Sequence, residues 1–153
     1  MRISFVGHSV VPLKNRVIEE VKAQLRECAK KSERITCYLG GYGDFDELCA
    51  FACREMEEEY AGIETVYVTP YMGLNEQKKI KCAEKYGIYD ASIYPLIENV
   101  PPKFAIIRRN EWMMVNADLI IAYVAHNYGG AYKSLQIAKK REKKIINIYE
   151  LMT

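Results

Sequence analysis

The hydrophobic positions of this chain change period along its length. From Arg2 to Val6 they form a short β-prone run stopped by Gly7, and from Leu13 they recur at Leu13, Val17, Ile18, Val21 and Leu25 with charges between. The first pattern is that of a strand, the second that of one face of a helix. The switch then repeats. Ile35–Leu39 predicts a second strand, ended by Gly40 and Gly41. Phe45, Leu48, Cys49, Ala52, Met56 and Tyr60 predict an amphipathic helix, and Asp44 and Glu47 ahead of it have the spacing of a capping box. Thr65–Val68 predicts a third strand closed by Pro70, followed by a more polar helix from Asn75 to Tyr86 that ends at Gly87. Between Ile88 and Pro102 the pattern weakens: a short strand is expected at Ala91–Tyr94, and Pro95, Pro101 and Pro102 make much of the rest loop. Phe104–Asn116 predicts a helix, and Leu119–Val124 is the unbroken apolar run of a strand buried on both faces. Ala131–Lys140 predicts a helix and Ile145–Tyr149 a last strand.

Strand and helix alternate throughout, so the expected fold is α/β and Rossmann-like: a mostly parallel sheet of five or six strands with helices on both faces. The 153 residues fit one domain spanning 1–153, with no repeat, linker or low-complexity segment to divide it. Lys and Arg number 22 against 20 Asp and Glu, a formal charge of +2 that provides no broad basic field, and nucleic acid is on that ground not expected as a partner. The densest basic run, Lys139, Lys140, Arg141, Lys143 and Lys144, is expected at a helix end, where cations complement the macrodipole. The five cysteines form no disulfide framework, Met1–Gly7 has no signal-peptide character, and no apolar run approaches a membrane span. A cytoplasmic protein with reduced thiols and no membrane partner is the expectation. Cys49 and Cys53 share a helix face with Leu48, Ala52 and Met56, which favours burial as small hydrophobes over a metal pair.

In an open parallel sheet, ligands bind beyond the carboxyl ends of the strands, where the strand order reverses. That selects the loops at Gly7-His8-Ser9, Gly40 to Asp44, Thr69 to Gly73, and His126 to Ala131. Two are rich in glycine, Gly40-Gly41-Tyr42-Gly43 and Gly129-Gly130, and each precedes a helix. Glycine lets backbone N–H groups approach an anion, and the helix N-terminus adds a favourable partial charge. The two loops therefore suit a phosphate. No G-x-G-x-x-G follows the first strand, and there is no G-x-x-x-x-G-K-[ST], H-E-x-x-H or paired C-x-x-C. Neither a metal nor a resident cofactor is expected.

Leu39-Gly40-Gly41-Tyr42-Gly43-Asp44-Phe45-Asp46 resembles the "G-x-x-G-x-F-D" loop of the SLOG superfamily, and most of all its bacterial DUF1273 (YpsA-like) branch. Phe5-Val6-Gly7-His8-Ser9 looks like that branch's "TGH" strand end. Arg109-Asn110-Glu111-Trp112-Met113 with Ala117-Asp118 looks like its "RN-x-WM…(S/A)D" segment, and Tyr123 to Ala131 like its "Y-x-x-H-x-x-GGA" loop. The match runs nearly end to end and in order. It implies a Rossmann-like fold and a nucleotide-derived ligand with ribose and phosphate, bound as by a sensor or regulatory module; an ADP-ribose-like molecule or a nucleoside phosphate would fit. The superfamily also contains LOG phosphoribohydrolases, which cleave an N-glycosidic bond, and the DNA-processing protein DprA. Hydrolysis or transfer at an N-glycosidic bond and single-stranded DNA binding are thus the alternatives. The LOG pattern places an Arg before the strand and "GG-x-GT-x-x-E" after it. Arg108 and Arg109 match the first part, but aligning Gly130-Ala131 with the "GT" puts Ser134 where the glutamate should be. The general acid/base carboxylate is then missing there.

Taken one by one, Arg109 is suited to bidentate phosphate pairing, with Asn110 beside it. Asp46 is suited to ribose hydroxyls or to nucleophilic attack, and its bland reading is first-turn helix stabilisation. If a reaction occurs, Asp46 and Glu111 are the candidate carboxylates. Gly7, His8, Ser9 and His126 are candidates at strand ends, and Pro70 at another. Gly40, Gly41, Tyr42 and Gly43 in the first glycine loop and Tyr128, Gly129, Gly130 and Ala131 in the second complete the candidate binding set. Trp112, the only Trp, is assigned to core or interface packing. A homodimer or homotetramer is expected from the superfamily and the apolar Trp112–Val115 segment.

Overall fold

A computed structural model describes residues 1–95 and 100–153. Six strands form one parallel sheet: β1 (Arg2–Gly7), β2 (Ile35–Leu39), β3 (Ile63–Val68), β4 (Ala91–Ile93), β5 (Leu119–Tyr123) and β6 (Lys144–Asn147). Their order is β4-β3-β2-β1-β5-β6. The chain therefore builds outward from β1 in one direction to β4, crosses back, and builds outward in the other direction from β5. The gap between the outgoing loops of β1 and β5 is the topological switch point.

The period-two alternation decides what each strand buries. Ile3 and Phe5 of β1, Ile35, Cys37 and Leu39 of β2, and Leu119, Ile121 and Tyr123 of β5 face one core. Helices α1 (Lys14–Lys31) and α2 (Asp44–Glu59) and the last turn, α6 (Ile148–Leu151), close that side. Val6, Tyr38, Val66, Val68, Ile120 and Ala122 point the other way, against α4 (Ala105–Val115) and α5 (Gly129–Lys140). The Ser4 hydroxyl donates to the Met113 carbonyl at 2.7 Å and ties α4 to β1. Asp118 accepts from the Arg2 amide at 2.8 Å and sets the start of β5 against β1. A polar helix, α3 (Leu74–Lys85), buries no residue, as its charged sequence predicts.

Several local expectations shift. The segment read as ending a strand at Tyr149 turns after Asn147, because the Asn147 side chain accepts from the Tyr149 amide and so starts α6. Helix α5 begins at Gly129 rather than Ala131. The capping box does not form: Gly43 is the N-cap of α2, and the Asp44 carboxylate instead accepts from the Val11 amide at 3.0 Å. Pro102–Phe104 forms a 3-10 turn, and the part of the expected proline-rich loop at 96–99 lies outside the described residues. Cys49 and Cys53 are fully buried in the core, and burial is the leading cause raising the Cys49 thiol. Trp112 packs edge-on against Tyr38, with ring centres 5.2 Å apart, and Met113 and Met114 are core residues. In the basic run, Lys143 donates to the Val115 carbonyl at the end of α4. Among the described residues, no helix is long and apolar enough to cross a membrane.

Candidate functional site

The loops after β1, β2 and β5 meet at the switch point, and one face of α4 closes the space between them. Together they line a cavity of about 500 Å³, within the size range of small-ligand sites. Of the residues singled out from sequence as a binding set, the cavity gathers Gly7, His8, Ser9, Gly40, Tyr42, Asp46, Arg109, Asn110, His126, Tyr128, Gly129, Gly130 and Ala131. Gly41, Gly43 and Pro70 do not line it. Gly41 lies against the Tyr67 ring on the far side of its loop, Gly43 against Ser9, and Pro70 is buried beyond β3. Sequence reasoning missed Phe5, Val6, Val10, Ile106 and Met113 in the lining. Ile106 and Met113 stand three before and four after Arg109, so helical spacing alone placed them on the arginine's face. A wider hollow of about 780 Å³ beside α5 and β6 shares only His126 with this cavity.

The two glycine loops turn out to be built differently. In the first, the amides from Tyr42 into the start of α2 are largely committed. Tyr42 N–H donates to Asp46 Oδ2 at 2.9 Å, Asp44 N–H to the Ser9 carbonyl at 2.9 Å, Phe45 N–H to the His8 carbonyl at 3.4 Å, and Glu47 N–H to the Gly43 carbonyl at 3.2 Å. Gly43 has φ +94°, and a Cβ there would come within 2.7 Å of the Ser9 backbone. The loop after β1 thus caps the N-terminus of α2, which is why α2 needs no side-chain cap. The N–H groups of Tyr42 and Asp44 in this loop therefore have protein partners, while those of Gly40, Gly41 and Gly43 have no acceptor among the described residues, and of these three only Gly40 lines the cavity.

The second loop is open. Among the described residues, the N–H groups of Gly129, Gly130 and Ala131 have no acceptor, and α5 has no side-chain cap. All three residues line the cavity. A twelve-residue helix therefore presents its unsatisfied donors and the positive end of its dipole to that space.

Arg109, 2% exposed, is the largest fully buried side chain. Its Nη1 donates to the carbonyls of Gly40 at 2.7 Å and Val68 at 2.6 Å, and its Nε to Asn110 Oδ1 at 2.8 Å. The guanidinium carbon lies 5.3 Å from the centre of the Tyr42 ring. Arg109 thus joins α4 to the ends of β2 and β3, and a bidentate fork with both of its terminal nitrogens free does not exist. One terminal nitrogen, Nη2, makes no hydrogen bond among the described residues. Nη2 and the guanidinium carbon are also the atoms nearest Gly40, where a Cβ would lie 3.2 Å from each.

Asp46 lies beside the same bare face of Gly40, its Oδ2 3.3 Å from the same Cβ position. Burial pushes its pKa up to about 6, against the pull of the Tyr42 N–H and the Arg109 charge. Glu111, the other candidate carboxylate, is corrected: it pairs with Arg108 at 3.2 Å on the outer surface of α4 and does not line the cavity. Ser134 is buried in α5 and brings no carboxylate to the position a LOG-type glutamate would take.

At the mouth, three rings stack in parallel. His126 lies between His8 and Tyr128, with centres 3.8 Å apart on each side. His8 Nε2 accepts from the Ala125 amide at 2.8 Å, which requires that nitrogen to be unprotonated. Burial, and next the neighbouring His126, lower the His8 pKa, so the hydrogen-bonded neutral form is favoured. The stack pins the β5–α5 loop to the end of β1.

The sequence matches no family model and no curated protein. Solved structures of similar fold are DNA processing protein A from Helicobacter pylori, described for its single-stranded DNA binding mode, and DprA from Streptococcus pneumoniae. The first gives a TM-score of 0.61 at 16% identity over 95% of this chain. The second gives 0.66 at 16% identity over 94%. This chain spans 63% and 48% of those two chains. The likeness corrects one inference from composition. A charge near zero does not set nucleic acid aside, because this fold occurs in a protein with a single-stranded DNA binding mode. What the comparisons establish is the architecture: a Rossmann-like α/β domain with the fold of the DprA proteins.

Proposed function

We propose that this domain binds a nucleotide-derived, phosphate-bearing small molecule in the switch-point cavity, as a sensor or regulatory module. The observation that carries the reading is a pairing. The free amides of Gly129, Gly130 and Ala131 open onto the same cavity as Arg109, a buried cation with an unpartnered nitrogen. Unsatisfied donors and a desolvated positive charge at one place are what a phosphate complements. A nucleoside phosphate or an ADP-ribose-like molecule supplies that group, and the SLOG resemblance points the same way.

Thermal shift with nucleoside monophosphates, NAD and ADP-ribose, alongside an assay for released base, tests the reading. A ligand at 100 times its Kd stabilises by about 2.7 kcal/mol, a readily measured change in Tm. A shift without base release supports a binding module. Base release that disappears in Asp46→Asn would instead support N-glycosidic chemistry. No shift with any nucleotide at millimolar concentration would end the proposal. A second reading, single-stranded DNA as the nucleotide source, is favoured by the fold shared with the Helicobacter protein. It predicts that a thymidine oligonucleotide binds far more tightly than thymidine monophosphate, with a steep loss in salt.

A further inference from the structure

Asp46 has an acceptor to spare. Its Oδ2 takes the Tyr42 N–H, while Oδ1 accepts nothing among the described residues, and the residue lines the cavity. Across the bare Cα of Gly40 sits Arg109, so the floor carries a carboxylate and a guanidinium side by side with no Cβ raised between them. The open N-terminus of α5 lines the same cavity. A sphere of the cavity's volume is about 10 Å across, enough to hold a phosphate together with the sugar attached to it.

We infer that Asp46 receives the vicinal hydroxyls of a ribose, so that the cavity selects ribonucleotides over their deoxy counterparts. This rests on the nucleotide-binding reading above and names the sugar that site takes. A buried carboxylate leaves a strongly solvated state behind, and the loss is offset only by donors. The protein supplies one N–H to Oδ2. A ribose 2′,3′-diol brings two O–H donors spaced for one carboxylate, and a 2′,3′-dideoxyribose brings none. The charged or titratable groups around Asp46 are Arg109 from α4, Glu47 and Cys49 from α2, Tyr42 from its own loop, and Tyr89 ahead of β4. Arg109 is the cation among them, and it favours the ionised carboxylate that accepts from both hydroxyls.

The experiment is calorimetric titration of the unmodified protein with AMP, 2′-deoxy-AMP and 2′,3′-dideoxy-AMP between pH 5 and 7.5. The expected result is an affinity loss of about tenfold for the first missing hydroxyl and a further loss for the second. The AMP-to-dideoxy-AMP ratio should grow as pH rises through about 6, where Asp46 ionises. The phosphate's own titration cancels in that ratio. AMP and dideoxy-AMP binding equally at every pH would overturn the inference and leave the nucleotide-binding reading standing. None of the three binding at millimolar concentration would overturn both. Asp46→Asn adds a check for the residue: it should weaken AMP while leaving dideoxy-AMP unchanged.

Discussion

The two glycine loops of this domain look alike in sequence and do opposite things. Gly40-Gly41-Tyr42-Gly43 is a clamp: a Cβ at Gly41 or Gly43 would collide with Tyr67 or Ser9, and the N–H groups of Tyr42, Asp44 and Phe45 are spent on Asp46, Ser9 and His8. Gly129-Gly130 is a mouth: a Cβ at either position would meet nothing within 4 Å, and the amides are unpaired among the described residues. Glycine at the first loop is a requirement of packing. At the second, the backbone asks for it at Gly129, whose φ is +88°, while at Gly130 neither packing nor a positive φ does. The difference is also one of stability, because the clamp joins three strand ends to α2 and α4, whereas the mouth is held mainly by the His8–His126–Tyr128 stack.

If the first loop is a clamp, its cation should matter most. Arg109→Met keeps much of the side-chain volume and removes the donors, leaving the Gly40 and Val68 carbonyls buried and unpaired. It should lower stability by about 3–5 kcal/mol, measured by urea unfolding. A loss below 1 kcal/mol would mean that Arg109 does not bind the clamp together and is free to serve a ligand alone. Gly7→Ala comes next. Its Cβ would sit 2.4 Å from the Phe45 ring, a clash inside the packed core. A loss of about 2–3 kcal/mol is expected, and chemical denaturation with near-wild-type stability would break the picture of β1 pressed against α2.

The order of elements was legible because each change of hydrophobic period coincides with a turn residue, and six strands alternating with helices leave few topologies open. The open or closed state of a glycine loop was not legible. It depends on whether acceptors arrive from elsewhere, and the His8 and Ser9 carbonyls that satisfy the first loop lie some 35 residues earlier in the chain. The same holds for Arg109. Its place before β5 could be read from the motif, but its guanidinium is held by carbonyls 41 and 69 residues away. Asp44 and Glu47 had the right spacing for a capping box, yet Val11 N–H claimed the Asp44 carboxylate. Local pattern gave the candidate residues, and long-range hydrogen bonds decided which were left free.

Asp46 sharpens the comparison through pH. Its pKa is raised to about 6 in the fold, above the roughly 3.9 of an unfolded Asp. The folded state therefore binds the proton more tightly, and stability that is full below pH ~4 is lost as pH rises through 6. In Asp46→Asn that loss is absent. The variant should match the parent near pH 4 and exceed it by about 2 kcal/mol at pH 7, beneath the ~3 kcal/mol that the whole shift allows. Stability curves for the two proteins across pH 4–7.5 check this. Parallel curves would mean that the carboxylate is as well solvated as in the unfolded chain, and the clamp would be looser than its hydrogen bonds indicate.

The smallest expected change in stability is the most informative about the mouth. Gly130 sits in the first turn of α5 without a positive φ, and nothing lies within 4 Å of its Cβ position. Alanine there should stabilise the free protein by about 0.5–1 kcal/mol, since glycine in a helix carries an entropic penalty that alanine lacks. A ligand phosphate seated on the Gly129–Ala131 amides would meet the new methyl, so nucleotide binding should fall by tenfold or more in the same variant. The two measurements, Tm without ligand and Kd by titration, move in opposite directions only if the glycine is kept for the ligand. Gly130→Ala that gains stability and binds nucleotide as tightly as the parent would place the phosphate elsewhere in the cavity. It would also leave the open N-terminus of α5 as nothing more than an uncapped helix end.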